Sequence, residues 1–558
     1  MEYYSRIDMK KNIGIFLAYA PEQSIKSHGI SRLLSFMLAG MLENDDTQVT
    51  IATPAWFKEN ITQFMKDQAI PVEKVKLLTT PGIPYLLRIK QFLSRRKNSD
   101  VRSIPSQETT YFKRLKSSGK KHLLNLFMHW MSIYSTPLFI TVTLLFCLLG
   151  IMLFPLFFIA VVGYLCIGLL KKFCHLSKKF SEFIYHKPHR FLKNNPVTRI
   201  FFLQMAELKR NIVARVLYSE LRTRELNKLI RMINARPDIP VWFIPTLFWP
   251  EIKAIKAKKV IAAPDIVFVD FPTHFADPGS AETYKKITDT IAAGDHFICY
   301  SEYVKQKHLI HAFRVIPDKI TVIPHGAIDL SPVLKKNRSQ VTLQNQSIQI
   351  LRQYQKTDLA YHPYLSDYNL GDMRFIFYSS QLRPYKNFHN LIRAYEILLR
   401  ERFVNVKLIV TGDIKSDPGL YQYILDKRLQ FDVLSFYDIP SDVLAALNHL
   451  AVCAVNPTLF EGGFPFTFTE AYSVGTPSVM SAIPAVTVDV KEEDLHQRML
   501  FDPYNVDDMV NKIEWAIKNR SKLLELQAPL YQRFKERNWG LVAKEYVNLL
   551  TDFSYATP

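Results

Sequence analysis

Leu450-Ala451-Val452-Cys453-Ala454-Val455, followed by Phe460-Glu461-Gly462-Gly463-Phe464-Pro465-Phe466-Thr467-Phe468-Thr469-Glu470-Ala471, reads as a short buried strand, a glycine-rich loop and the start of a helix. That order is the unit from which doubly wound α/β sheets are built. It also makes a site. Backbone N–H groups of such a loop and the positive end of the helix favour phosphate. Carboxylates such as Glu461 and Glu470 accept hydrogen bonds from sugar and ribose hydroxyls. The plainer alternative is a surface loop with two solvated glutamates, and the rest of the chain decides between them.

Working outward, strand-like runs recur on both sides. Lys11 to Ala18 and Gln48 to Ala52 flank a helical pattern from Ile30 to Leu42, the opening of a βαβ unit. The pattern resumes at Val241–Ile244, Val260–Ala263, His296–Tyr300 and Ile320–Ile323. A second series begins with Met373–Tyr378, a helix from Phe388 to Arg400, and Val406–Val410. The predicted fold is α/β: two Rossmann-like doubly wound domains, with a ligand in the cleft at the carboxyl ends of their strands. The first domain takes 1–85 and 201–330, interrupted by 86–200. A linker with a helix around Ile348–Tyr354 spans 331–371. The second domain takes 372–535, and 536–558 is a terminal helix that returns to the first.

The interruption carries most of the charge. At 558 residues the chain exceeds one core, and its net charge is +20. Residues 86–200 hold 19 Lys/Arg against Asp100, Glu108 and Glu182, a net +16. The basic residues straddle a stretch, 123–170, with no Asp, Glu, Lys or Arg. With no DNA- or RNA-binding module to serve, the charge points to anionic lipid and away from nucleic acid. Because both flanks fold into one domain, the apolar stretch must leave and return on the same side. A hydrophobic helical hairpin is predicted, re-entrant or spanning twice at about 20 residues per pass, with its reversal near 149–155 and Trp130 and Tyr134 as interfacial anchors. Both domains then lie on the cytoplasmic face, taken as that of a bacterial inner membrane. The five cysteines show neither disulfide nor zinc spacing.

Ser379-Ser380-Gln381-Leu382-Arg383-Pro384-Tyr385-Lys386-Asn387 sits between a strand and a helix. Arg383 and Lys386 offer a planar fork and a mobile point charge to a diphosphate. Alone, such a pair is more often a solvated basic turn. Its place in the domain of the Glu461 loop favours the ligand. Together with Gly29, Ile298–Glu302, Ile320–Gly326 and Phe501–Asp508, these motifs resemble the retaining GT-B glycosyltransferases of family 4, over roughly 11–80 and 200–550.

The resemblance implies transfer of a sugar from a nucleotide-diphosphate sugar to a glycan or lipid-linked acceptor, with retention at the anomeric carbon. Arg383 and Lys386 would neutralise the diphosphate, Glu461 would hold donor-sugar hydroxyls, and Glu470 would take the ribose. Backbone groups of Gly462, Gly463, Phe464 and Pro465 would assist, and Gly29 would let its loop approach the phosphates. Neither a metal nor a cofactor is expected, since the basic pair supplies the charge. The chain departs from the family twice. Eight residues separate Glu461 from Glu470 where seven are usual, so the loop must bulge within 462–464 or displace Glu461. Pro264 stands before Asp265 where a histidine is common, leaving Asp265, Asp270, His274 and His325 as candidates for the acceptor side. Those departures motivate a second reading, a catalytically degenerate GT-B module serving as a membrane-bound nucleotide-sugar sensor or scaffold.

Overall fold

The computed structural model describes 11–85 apart from 22, 24, 26–29 and 44–45, then 87–88, 130, 132–135, 137–145 and 148, and 218–555 apart from 336–341, 359–364 and 366–368. Gly29 and nearly all of the 86–200 insertion lie outside these residues. Among those described, no helix is long and apolar enough to cross a membrane.

Two parallel sheets form. The N-terminal sheet has seven strands: β1 (Lys11–Phe16), β2 (Thr47–Thr53), β3 (Val75–Thr79), β4 (Val241–Ile244), β5 (Lys258–Ala262), β6 (His296–Cys299) and β7 (Ile320–Val322). Their order is β3-β2-β1-β4-β5-β6-β7. The C-terminal sheet joins β8 (Phe375–Tyr378), β9 (Lys407–Val410), β10 (Val433–Ser435), β11 (Cys453–Asn456), β12 (Ser478–Ser481) and β13 (Leu500–Phe501), in the order β10-β9-β8-β11-β12-β13. Each order reverses beside its first strand, so each sheet has a crevice at the carboxyl ends of the strands there. In the first sheet β1 pairs with β4, Ile13 opposite Val241. The insertion therefore lies within one crossover, between β3 and β4, and both its ends belong to one domain.

Helices cover both sheets: α1 (Ile30–Leu42), α2 (Lys58–Asp67) and α3 (Pro278–Ala293) the first, α4 (Leu343–Thr357), α5 (Phe388–Arg400), α6 (Ser441–Leu450), α7 (Phe466–Ser473), α8 (Val506–Lys518) and α9 (Arg520–Glu536) the second. Within the stretch expected as a linker, Leu351 and Tyr354 of α4 join the core that also buries Phe375 and Leu447. Four strands carried no clear sequence signal. β3 and β10 are edges, with Lys76 in one and three residues in the other, while β13 has two residues and β12 begins and ends on serine. The strand expected from Leu450 starts at Cys453, because Leu450 completes α6.

The described part of the insertion is tied to the N-terminal domain. The Tyr85 amide donates to Ile133 O (2.9 Å). The Tyr134 hydroxyl donates to Glu225 (2.7 Å), on the helix over 218–234, and accepts from Lys228 (2.8 Å). The Trp130 indole N–H donates to Thr143 (2.9 Å), and its ring stacks on Phe139. The polar ends of Trp130 and Tyr134, expected as interfacial anchors, are engaged by protein. The exposed apolar side chains lie further on, at Leu138, Leu144, Leu145 and Leu148, between 53% and 61% accessible.

The chain crosses between domains twice. After β7 it enters the C-terminal domain, and after α9 it returns as α10 (Trp539–Tyr555), which packs on α1 and β4. The crossings run side by side: Ala327 N–H donates to Arg537 O (3.1 Å), and the Arg537 guanidinium to Pro324 O (2.9 and 3.0 Å). α1 and α10 pack tightly at Gly40, where a Cβ would lie 2.5 Å from the Ala543 Cβ. A Gly40→Val substitution should therefore destabilise the protein by about 1–3 kcal/mol in denaturant unfolding. Adding Ala543→Gly should return part of that loss. Equal stability of wild type and Gly40→Val would contradict the packing.

Candidate functional site

The loops after β8, β11, β12 and β13 converge on those after β5 and β6, so the site is built from strand ends of both sheets. Arg383, Pro384, Tyr385 and Lys386 form the turn between β8 and α5. Asn387 closes it in the left-handed conformation (φ 58°), which asparagine tolerates better than most residues. Its amide donates to Pro457 O (3.0 Å) and Pro503 O (2.8 Å). One side chain thereby ties the basic turn to the loops after β11 and β13. The Leu459 amide, donating to Tyr385 O (2.8 Å), adds a second tie.

These ties bring Lys386 Nζ to Glu461 Oε1 at 2.5 Å. Arg383 stands beside them, exposed, its guanidinium 3.3 Å from Gln381 Oε1. Glu470 is 1% exposed on α7. Phe464 turns its ring into the core against Phe468 and Phe534. Pro465 caps the start of α7. The chain bends at 462–464, and Glu461 lies within reach of Lys386.

The bent loop presses on the other domain. A Cβ on Gly462 would lie 2.0 Å from Pro264 O, and one on Gly463 would lie 3.0 Å from the Tyr300 Cβ and 3.2 Å from the His325 ring. Ser301 Oγ donates to Gly462 O (2.8 Å). Asp265, next to Pro264, keeps contact with water yet is ringed by protein. Crowding in the cleft raises its pKa, and the Glu461 carboxylate raises it further, against the pull of Lys386, His308 and Arg383. The cluster is thus Arg383, Lys386 and Glu461 from one domain and Asp265 from the other.

The remaining acceptor-side candidates separate. Asp270 accepts from the Tyr303 hydroxyl (2.8 Å) and from His308 Nε2 (2.7 Å). His325 lies at the crossing, its ring 3.9 Å from that of Phe466 and edge-on to Tyr300. His274 is exposed on a short helical turn with its ring 6.0 Å from Phe271, outside the charged cluster. Asn387, Tyr303, His308 and Phe460 escaped the sequence reading as separate contributors. For Asn387 a signal exists: an asparagine directly before a helix, closing a Pro-containing turn. Tyr303 and His308 flank and join a π-helical segment, Val304–Ala312, whose spacing matches neither a strand nor an α-helix.

Residues 367–538 match the family "Glycosyl transferases group 1", so the chain carries a domain of that family. It is similar to O-antigen chain mannosyltransferase B of Escherichia coli, 26% identical over 187 residues, 33% of this chain and 48% of that protein. The chain thus spans about half the length of the curated relative it matches. Among solved structures, a glycosyltransferase from Rickettsia africae aligns over 98% of this chain and all of its own, with a TM-score of 0.52 and 11% identity. Anabaena HepE, in complex with UDP-glucose, aligns over 97% and 99%, with a TM-score of 0.51 and 12% identity. At such identities the likeness is one of fold, two α/β domains arranged as in GT-B proteins.

The half-buried His325 has a stability consequence. Enclosure among Phe466, Tyr300 and the hinge lowers its pKa from 6.5 to about 4, with Arg537 adding to the effect. In the unfolded chain the ring takes up a proton near pH 6.5 that the fold refuses until about pH 4. Its contribution is therefore complete above pH 6.5 and is lost as pH falls toward 4, by up to about 3 kcal/mol. Thermal unfolding from pH 7 to 4.5 should show wild type losing more stability than His325→Phe, which retains a ring for the stack. Parallel curves would refute the assignment.

Proposed function

We propose that the protein transfers a sugar from a nucleotide-diphosphate sugar to a glycan or lipid-linked acceptor, with retention of configuration, as the family 4 enzymes it resembles do. The observation that carries this reading is the 2.5 Å contact of Lys386 with Glu461, beside Arg383 and opposite Asp265. Arg383 and Lys386 take the diphosphate and the charge that develops on it as the glycosidic bond breaks. A diphosphate draws Lys386 partly away from Glu461, freeing carboxylate lone pairs for donor-sugar hydroxyls. Backbone N–H groups of Gly462, Gly463 and Phe464, directly after Glu461, would assist. Glu470 holds the ribose. The acceptor oxygen attacks the anomeric carbon on the face from which the phosphate departs, and the departing phosphate takes the acceptor's proton. The basic pair supplies the positive charge, and no metal is assigned.

The acceptor is placed at a membrane. Support comes from the uncharged 123–170 stretch between Lys/Arg-rich flanks, from the exposed leucines of 138–148, and from the β1–β4 pairing that returns the chain to its starting domain. A hairpin entered and left from the cytoplasmic face satisfies all three.

Purified protein warmed with UDP-, GDP- or ADP-sugars should be stabilised by its donor, by about 2.7 kcal/mol at a hundredfold excess over Kd. Transfer should fall on the order of 10²–10³-fold in Lys386→Ala and sharply in Glu470→Ala. Full activity in both variants would sink the site, and nucleotide binding without turnover across the donor panel would favour the sensor reading. Deletion of 123–170 should move the protein from the membrane to the soluble fraction. Its retention on membranes would refute the hairpin as the anchor.

A further inference from the structure

Beside Glu461, a cavity of about 210 Å³ opens between the domains. Asp270, Phe271 and Tyr303 wall it from the N-terminal domain, with Phe460, Glu461 and Tyr504 opposite. Arg383, Lys386 and Gly462 do not line it, so it is not the place for a diphosphate. Its volume lies below the roughly 300–1,000 Å³ of pockets for drug-sized ligands, which restricts it to about one ring.

The cavity's carboxylate is fixed in place. Ile266 N–H donates to His308 Nδ1 (3.2 Å), so that nitrogen carries no proton. The proton of the neutral ring therefore sits on Nε2 and is donated to Asp270 Oδ2 at 2.7 Å. His308 is fully buried, with the Phe460 ring stacked at 5.5 Å. Tyr303 holds the other Asp270 oxygen. Each carboxylate oxygen keeps a second lone pair, and the Asp270 side chain remains 17% exposed. Tyr504, 69% exposed, stands at the mouth. A fixed carboxylate with lone pairs to spare and the rings of Phe271 and Tyr504 lining one narrow space match a pyranose: hydroxyls at its rim, C–H groups on its faces.

We propose that this cavity is the subsite for one pyranose ring of the acceptor, its hydroxyls bonded to Asp270 and its face against Phe271 and Tyr504, with Tyr303 and His308 as positioning residues for Asp270. The proposal rests on the transferase reading for its biological sense, and glycoside binding can be measured without turnover.

Saturation-transfer NMR on the intact protein with methyl α-D-mannopyranoside, -glucopyranoside and -galactopyranoside and methyl α-L-rhamnopyranoside is the test. At least one should bind wild type, and its Kd should rise about tenfold or more in Asp270→Asn, the cost of a hydrogen bond to a charged group, and in Tyr504→Ala. Tyr504 is exposed, so the second variant folds independently of the Asp270 network. Tyr303→Phe, which removes one of two tethers, should weaken binding less than Asp270→Asn. In transfer assays Asp270→Asn should raise the acceptor KM about tenfold or more and the donor KM by much less. Absence of glycoside binding, or binding that survives both Asp270→Asn and Tyr504→Ala, overturns the subsite. An equal loss of nucleotide-sugar binding in Asp270→Asn overturns it too, by giving the cavity to the donor. Failure of the donor reading shows separately, as absence of stabilisation by any nucleotide sugar.

Discussion

A glycine α-carbon pressed against a proline carbonyl sets the geometry of the whole site. No side chain fits between Gly462 and Pro264, and Gly463 leaves little more room beside Tyr300 and His325. Because packed interiors leave few voids, this contact fixes the distance between two domains that each supply part of the cluster. Glu461 reaches Lys386 on its own domain, and the same loop delivers both to Asp265 on the other. The loop between Glu461 and α7 bends over 462–464, where it meets the opposite wall.

The two α/β domains were legible because buried parallel strands leave continuous apolar runs. Val241–Ile244 announces itself in this way, and its observed limits coincide with those read from the sequence. Edge strands did not, since β3 and β10 are half-solvated or very short and look like connections. Arg383, Lys386 and Glu461 were legible as charges placed after strands in an orderly series. Their mutual distance was not, because it depends on the Asn387 amide bridging two carbonyls far apart in the chain. Asp270 was visible as a residue, while its partners were hidden in a π-helical segment whose register no simple period reveals.

Two side chains of the insertion illustrate a general difficulty. Trp130 and Tyr134 have the amphipathic character expected at a lipid boundary. An interface within the protein asks for the same character, an apolar body with one polar tip, and Glu225, Lys228 and Thr143 satisfy those tips. Composition alone does not separate the two settings. Leu138, Leu144, Leu145 and Leu148, which carry no polar tip and stand in the open, are the more discriminating residues.

The double passage of the chain between the domains restricts how they can move. With one connecting strand, the halves would swivel freely as well as open. Here the segment after β7 and the segment before α10 lie side by side and are bonded through Arg537. Swivelling would wind one connection around the other and break those bonds, whereas opening about the line through both leaves them intact. The pair therefore acts as a door hinge with two pins. Opening about that line would separate Gly462 from Pro264 and bring them back in the same register.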